Sequence, residues 1–352
     1  MKQNLVRWLL VGVLVLGSAA LVACGSDDSS SKSSDSGSSS SSSSKKKIRI
    51  AMVTDIGGLN DRGFNALAYK GLQQAKSDLG ADIRVLTSKS NADYVPNLST
   101  LARQKYDLVI GVGFLMGDAM AKVAKSFPQT NFAIIDFPSG ALKGKPKNVH
   151  GLLFKENEAG YLVGTMAGLY AKKKGGKQVV SAVGGQKVPA VDAYAAGYEA
   201  GAKKANPGVK TLFAYSQDFV DQAKCKEIAL NQIGQGSQVV FAIAGQCGLG
   251  ALDAAKQKNV QGIGVDADQG YVNGNVMTSA LKKVDVAAFD TAKDVQDGKF
   301  KPGTDTIFDV KSGGVGLGTV SAAGQPFEAD VKKVQEQIAS GQITDIPTEP
   351  GK

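Results

Sequence analysis

"IRIAMVTDIGGLNDRGFNALAYKGLQQAKSDLGADIRVL", residues 48–86, reads as strand, turn, helix and strand. Ile48 to Thr54 is a nearly continuous apolar run, as expected for a strand buried on both faces. Asp55 to Leu59 turns the chain, and Gly57 and Gly58 let it turn sharply. Phe64, Leu67, Ala68, Gly71, Leu72, Ala75 and Leu79 then recur at helical spacing, with Gly80 as the stop. Ile83 to Leu86 is the next strand. This is a βαβ unit, and Leu108 to Val112 and Phe132 to Ile135 extend it. The same syntax restarts after a break near Asn148 to Phe154. Strands are expected at Val179–Val183, Val209–Tyr215, Val239–Ala244 and Gly262–Val265, with helices at about 156–171, 189–204, 221–233 and 249–258. The fold class is α/β: two lobes, each a doubly wound parallel sheet. Ligands in such sheets bind beyond the carboxyl ends of the strands, so a single cleft results if the two crevices face each other.

The turn after the first strand holds more polar chemistry than folding requires. Asn60 or Asp61 suits a helix cap. Asp55, the other member of the Asn60/Asp61 pair and Asn65 are left over, beside Phe64 at the cleft mouth.

The N-terminus points to export. Lys2 and Arg7 precede an apolar run from Leu9 to Val22, in the order of a signal peptide over residues 1–23. The run closes on Leu21-Val22-Ala23-Cys24, which resembles a bacterial lipobox with Cys24 as the lipidated residue; an uncleaved anchor helix is the alternative. Residues 24–47 are mostly Ser, Gly, Asp and Lys, and read as a flexible tether. The expected location is the extracytoplasmic face of the cell membrane, with the lipid as anchor.

Without residues 1–23, 39 Lys+Arg stand against 32 Asp+Glu, a net charge of about +7. The basic residues are scattered apart from Lys45–Lys47 and Lys172–Lys174. No aromatic cluster, zinc-finger spacing or basic heptad accompanies them, which argues against nucleic acid. One histidine, His150, and three cysteines offer no His/Cys metal site. No cofactor is expected.

Two catalytic readings compete. Gly245-x-x-Gly248-x-Gly250 follows a strand, and Asp266 lies sixteen residues further on, as in a dinucleotide site. It belongs, however, to the third βα unit of its lobe rather than the first. Ser279-Ala-Leu-Lys282 fits S-x-x-K but lacks its companion motifs.

"GGLNDRGFNALAYKGL" (57–72) resembles the signature of the basic membrane protein family, purine-nucleoside-binding lipoproteins of ABC transporters. Further similarity runs in order through "GVGFLMGDAM" (111–120), "FAIID" (132–136), "FKENEAGYLVGTMAGL" (154–169) and "AAGYEAGAKKANPGV" (195–209). It continues through "DFVDQAKCKEIAL" (218–230), "VVFAIAGQCGLGAL" (239–252), "IGVDADQ" (263–269) and "TSALKKVD" (278–285). The resemblance implies a type I periplasmic-binding-protein fold whose chain crosses between lobes three times. The N-terminal lobe would be 48–154 plus 277–304, and the C-terminal lobe 155–276 plus 305–352. It implies a non-catalytic receptor that closes on a nucleoside and hands it to ABC permease and ATPase subunits, and a monomer is expected. Phe64 would stack on the base, Asp55 and Asn65 would bind its edge, and Asp136, Asp266, Lys282 and Gly245 would meet the ribose. The same fold could hold another flat ligand such as riboflavin, or serve as a sensor. The chain departs from the family at three places. The second aromatic lid, usually Phe, aligns best with Tyr194, while Cys225 and Cys247 stand where the family often has Gly and Thr. In an exported chain a Cys225–Cys247 disulfide is expected, two buried thiols being the alternative.

Overall fold

Along the first strand, alternate residues face different helices, and both sets are buried. A computed structural model describes residues 47–351; the expected signal, Cys24 and nearly all of the tether lie outside the described residues. The first half of the chain supplies β1 (Arg49–Val53), α1 (Phe64–Leu79), β2 (Asp82–Leu86), α2 (Tyr94–Arg103), β3 (Leu108–Val112), α3 (Gly117–Ser126), β4 (Asn131–Ile135) and β5 (Val149–Phe154). Ile50 and Met52 pack with Ala68 and Leu72 of α1. Ala51 and Val53 point the other way, to Leu98 of α2 and Met120 of α3. This two-sided burial is why the strand reads as an unbroken apolar run.

The second half supplies α4 (Glu156–Lys174), β6 (Val179–Gly184), α5 (Pro189–Ala205), β7 (Lys210–Tyr215), α6 (Gln222–Gly234), β8 (Ser237–Ile243), α7 (Gly245–Gln257), β9 (Gln261–Asp266) and β10 (Val276–Lys282). It ends with α8 (Val284–Gln296), β11 (Asp305–Phe308), β12 (Val315–Leu317) and α9 (Gln325–Ala339). The first sheet has the order β11-β5-β4-β3-β1-β2 and the second β12-β10-β9-β8-β6-β7. Every neighbouring pair is parallel except β10 with β12.

Pairing changes three assignments of the sequence reading. The presumed break at Asn148–Phe154 is β5, in register with β4. The segment 277–304 does not belong whole to the first lobe: β10 pairs with β9 in the second sheet, and only α8 returns to pack on α1. The tail is divided too, because β11 pairs with β5 in the first sheet. Strand pairing over long separations, rather than local periodicity, decides these memberships. The crossings lie side by side, since Lys155 N donates to Phe308 O at 2.9 Å and Lys283 N to Gly314 O at 2.8 Å.

The second lobe is drawn together by glycine. A Cβ on Gly164 of α4 would stand 2.1 Å from Tyr198 O of α5, and one on Gly201 2.2 Å from Tyr161 O. The two helices therefore meet backbone to backbone. On the opposite face of the sheet, Cys225 of α6 and Cys247 of α7 form a disulfide with Cα atoms 5.5 Å apart. A loop of this length is expected to contribute about 3 kcal/mol.

Candidate ligand-binding site

In each sheet the chain order reverses around the first strand, β1 between β2 and β3, and β6 between β7 and β8. The loops at those two switch points, with the carboxyl ends of the later strands, line a single chamber. Asp55, Phe64, Asn65, Asp136, Tyr194, Gly245, Asp266 and Lys282 all contribute to its wall. The eight residues expected at the ligand thus converge.

The turn after β1 forms a closed polar cage. Asp55 Oδ1 accepts from Gly57 N at 2.8 Å and from Asn65 Nδ2 at 2.7 Å, while Asp55 N donates to Asn65 Oδ1 at 3.1 Å. Asp61 caps α1 from three residues ahead of it. Its carboxylate accepts from Gly63 N, Asn65 N and Ala66 N at 3.1, 2.7 and 3.1 Å, and from Asn65 Nδ2 at 3.0 Å. Asn60 is exposed. Asn65 thus spends both amide hydrogens on the two aspartates, bracing Asp55 rather than pointing a free amide into the chamber. Burial pushes the Asp55 carboxyl up to about 6, against the hydrogen bonds from Asn65 and Gly57.

At the far wall one ammonium gathers the acids. Lys282 ends β10 with its side chain 2% exposed, 2.7 Å from Asp136 Oδ2 and 2.8 Å from Glu156 Oε1. The rings of Phe64 and Phe154 each lie 4.8 Å from its Nζ. Burial alone would lower the Lys282 pKa, but Asp136, Glu156 and Asp266 outweigh it, so the lysine is held charged. Burial raises Glu156 and Asp266 to about 7, with Lys282 opposing the rise in both. Asp136 Oδ1 is buried without a hydrogen-bond partner. Asp136, just after β4, and Asp266, the last residue of β9, lie in the left-handed region, with φ +66° and +61°, a strained conformation that collects at binding sites. Three carboxylates around one lysine, with Asp55 across from them, make a chamber rich in acceptors. It suits a guest that brings O–H and N–H donors, an aromatic face and no negative charge.

Two contributors were not singled out in the sequence. Glu156 resembles any acid in a helix's first turn, and Phe219 sits in the polar run "SQDFVDQ". Phe219 is half-buried and lines the chamber from the second lobe. Tyr194 lies deep in the chamber wall. It is 2% exposed, packs edge-on to Phe241 at 5.8 Å and donates its hydroxyl to Asp266 Oδ1 at 3.2 Å. The glycines of the Gly245-x-x-Gly248-x-Gly250 run have structural uses. A Cβ on Gly250 would stand 1.9 Å from Gln222 O, and Cys247 N, in the first turn of α7, already donates to Phe219 O at 3.0 Å. No group of three or more metal-ligating side chains occurs among the described residues, and no described helix is long and apolar enough to cross a membrane.

Known proteins share this arrangement. Residues 48–346 match the profile of the Bmp family, described as ABC transporter substrate-binding protein PnrA-like. The ABC transporter nucleoside-binding protein BmpA of Lactococcus lactis is 35% identical over 84% of this chain and 88% of its own. An uncharacterized lipoprotein of Pyrococcus abyssi is 37% identical over 77% of this chain and 69% of its own. A solute-binding protein of an ABC transporter system from Aeropyrum pernix superposes with a TM-score of 0.78 at 27% identity, covering 86% of this chain and 94% of its own. With both sheets, their switch-point loops and the chamber inside the matched span, the chain belongs to the Bmp family of PnrA-like ABC transporter substrate-binding proteins.

Proposed function

We propose that the chain captures nucleosides, purine nucleosides foremost, and delivers them to an ABC importer from a lipid anchor on Cys24. The observation that carries this reading is the pairing of partly exposed aromatic rings from both lobes, Phe64 and Phe219, with an acceptor-rich wall. A purine presents a ring face and N–H donors, and ribose adds a vicinal diol. Phe64 and Phe219 hold the base, Asp55 binds its edge with Asn65 as brace, and Asp136, Asp266 and Lys282 take the hydroxyls. Gly245, at φ +53°, lets the backbone come close to the sugar. The nucleoside-binding name of the Lactococcus lactis relative supports the same class.

Calorimetry with inosine, guanosine and their free bases tests it. The wild type should prefer the nucleosides. Asp266→Ala, losing two charge-assisted hydrogen bonds of about 1.5–3 kcal/mol each, should weaken them by roughly a hundredfold or more and erase most of that preference. Unchanged nucleoside affinity in Asp266→Ala would remove this residue from the site and the reading with it.

A further inference from the structure

The chamber borders a second space. Phe114, Asp136 and Ala190 are also walls of a second, larger cavity of about 950 Å³. Asp55, Phe64 and Asn65, the residues assigned to the base, take no part in it. The second cavity therefore meets the chamber at Asp136, one of the residues assigned to the sugar. Its character is aromatic and acidic. Phe137 stacks on Phe114 with ring centroids 4.9 Å apart, and Phe154, Phe213 and Tyr215 face the same space. Glu156, Asp192 and Glu349 line it against a single basic residue, Lys187, among its described walls. Asp192 accepts from Tyr215 Oη, and Glu156 is held by Lys282 at 2.8 Å.

A ribose with its base toward Asp55 and its diol on Asp136 and Lys282 has one remaining substituent, at the 5′ carbon. That carbon is attached to C4′, next to the 3′ hydroxyl, so with the diol on Asp136 its substituent lies toward the wall shared with the second cavity. We infer that this vestibule admits nucleosides extended at the 5′ position by an uncharged thioether, and rejects those extended by phosphate. A thioether sulfur is soft and makes favourable contacts with aromatic edges, which Phe137, Phe154 and Phe213 supply. A phosphate would bring negative charge to Asp136, Glu156 and Asp192, with no arginine in the described walls to receive it. This inference rests on the nucleoside reading above and names a further ligand class for the same site.

The experiment is calorimetry with adenosine and inosine, each beside its 5′-deoxy-5′-methylthio derivative and its 5′-monophosphate. It uses wild type and Ala141→Trp, a substitution at an exposed residue of the vestibule wall outside the chamber. The methylthio compound should bind within tenfold of its parent, and the monophosphate at least a hundredfold more weakly. In Ala141→Trp the methylthio compound should lose at least tenfold while the parent keeps its affinity, which also reports an intact fold. A methylthio derivative more than tenfold weaker than its parent in wild type overturns the proposal. So does a variant that weakens both ligands or neither, or a monophosphate that binds as well as its parent. If neither parent nucleoside binds at all, the underlying nucleoside reading fails, a result distinct from the others.

Discussion

The two lobes repeat one strand order, yet different forces hold their ligand-facing parts in place. In the second lobe the helices behind the site touch at their backbones, through Gly160, Gly164 and Gly168 on α4 and Gly197 and Gly201 on α5. A disulfide ties the other face. In the first lobe the counterpart is the cage of Asp55, Asp61 and Asn65, in which seven hydrogen bonds between 2.7 and 3.1 Å order one turn. Steric contact and covalent linkage fix the one, and polar satisfaction fixes the other. A shared topology thus specifies where a site forms and leaves open how its walls are made rigid.

The largest test strikes the second lobe. Gly164→Val would drive a side chain into the Tyr198 carbonyl, so α4 and α5 must part. The expected loss is at least about 3 kcal/mol, measured by urea unfolding. Gly234→Ala, with nothing within 4 Å of its added Cβ, should change stability by less than about 0.5 kcal/mol. Near-wild-type stability in Gly164→Val would mean that the close backbone contact is not what holds the lobe. The first lobe breaks more gently. Asp61→Ala removes the acceptor for three backbone donors at the start of α1 and should cost about 2 kcal/mol. Hydrogen exchange should quicken at the Asn65 and Ala66 amides and stay unchanged in α5; uniform quickening would show that the cage is not a local device.

The smallest effect is proton linkage. In the free protein burial lifts Asp55 to about 6 and Glu156 and Asp266 to about 7, from ordinary values near 4. A raised carboxyl pKa means the folded state holds protons that the unfolded chain has released, so these groups' stabilising effect declines as pH rises from about 4 through 7. Hydroxyls of a bound ligand favour the ionised carboxylate, so capture should release protons, and affinity should fall as pH drops from 8 to 6. Titration in buffers of different ionisation enthalpy measures the release. Heats independent of buffer, with affinity flat across that range, would refute it.

Much of this was legible in the residues, for a physical reason. Strands covered on both faces must be apolar throughout, which exposes β1, β3, β4 and β8 to a reader of the sequence. The strand-end rule then brings Asp55, Asp136, Gly245 and Asp266 together without any knowledge of distance. The last three strands were not legible. β11 is largely exposed, β12 has three residues, and β10 carries Thr278 and Ser279. Each becomes a strand through its neighbour, β11 beside β5, β12 beside β10, and β10 beside β9. The bond from Tyr194 to Asp266 was not legible, because similarity to a family places a ring without saying where its hydroxyl goes. Glu156 was missed because its partner, Lys282, lies far along the chain.

The interleaving of the sheets also sets a timetable for assembly. β5 leaves synthesis about 150 residues before β11, the strand that covers it. Until then Val149–Phe154 is an open sheet edge, able to pair with any other extended chain. The first lobe therefore cannot finish before most of the second has been made. A chain stopped short of residue 305 keeps that edge bare, and such truncated forms are the ones expected to associate and to call on chaperones.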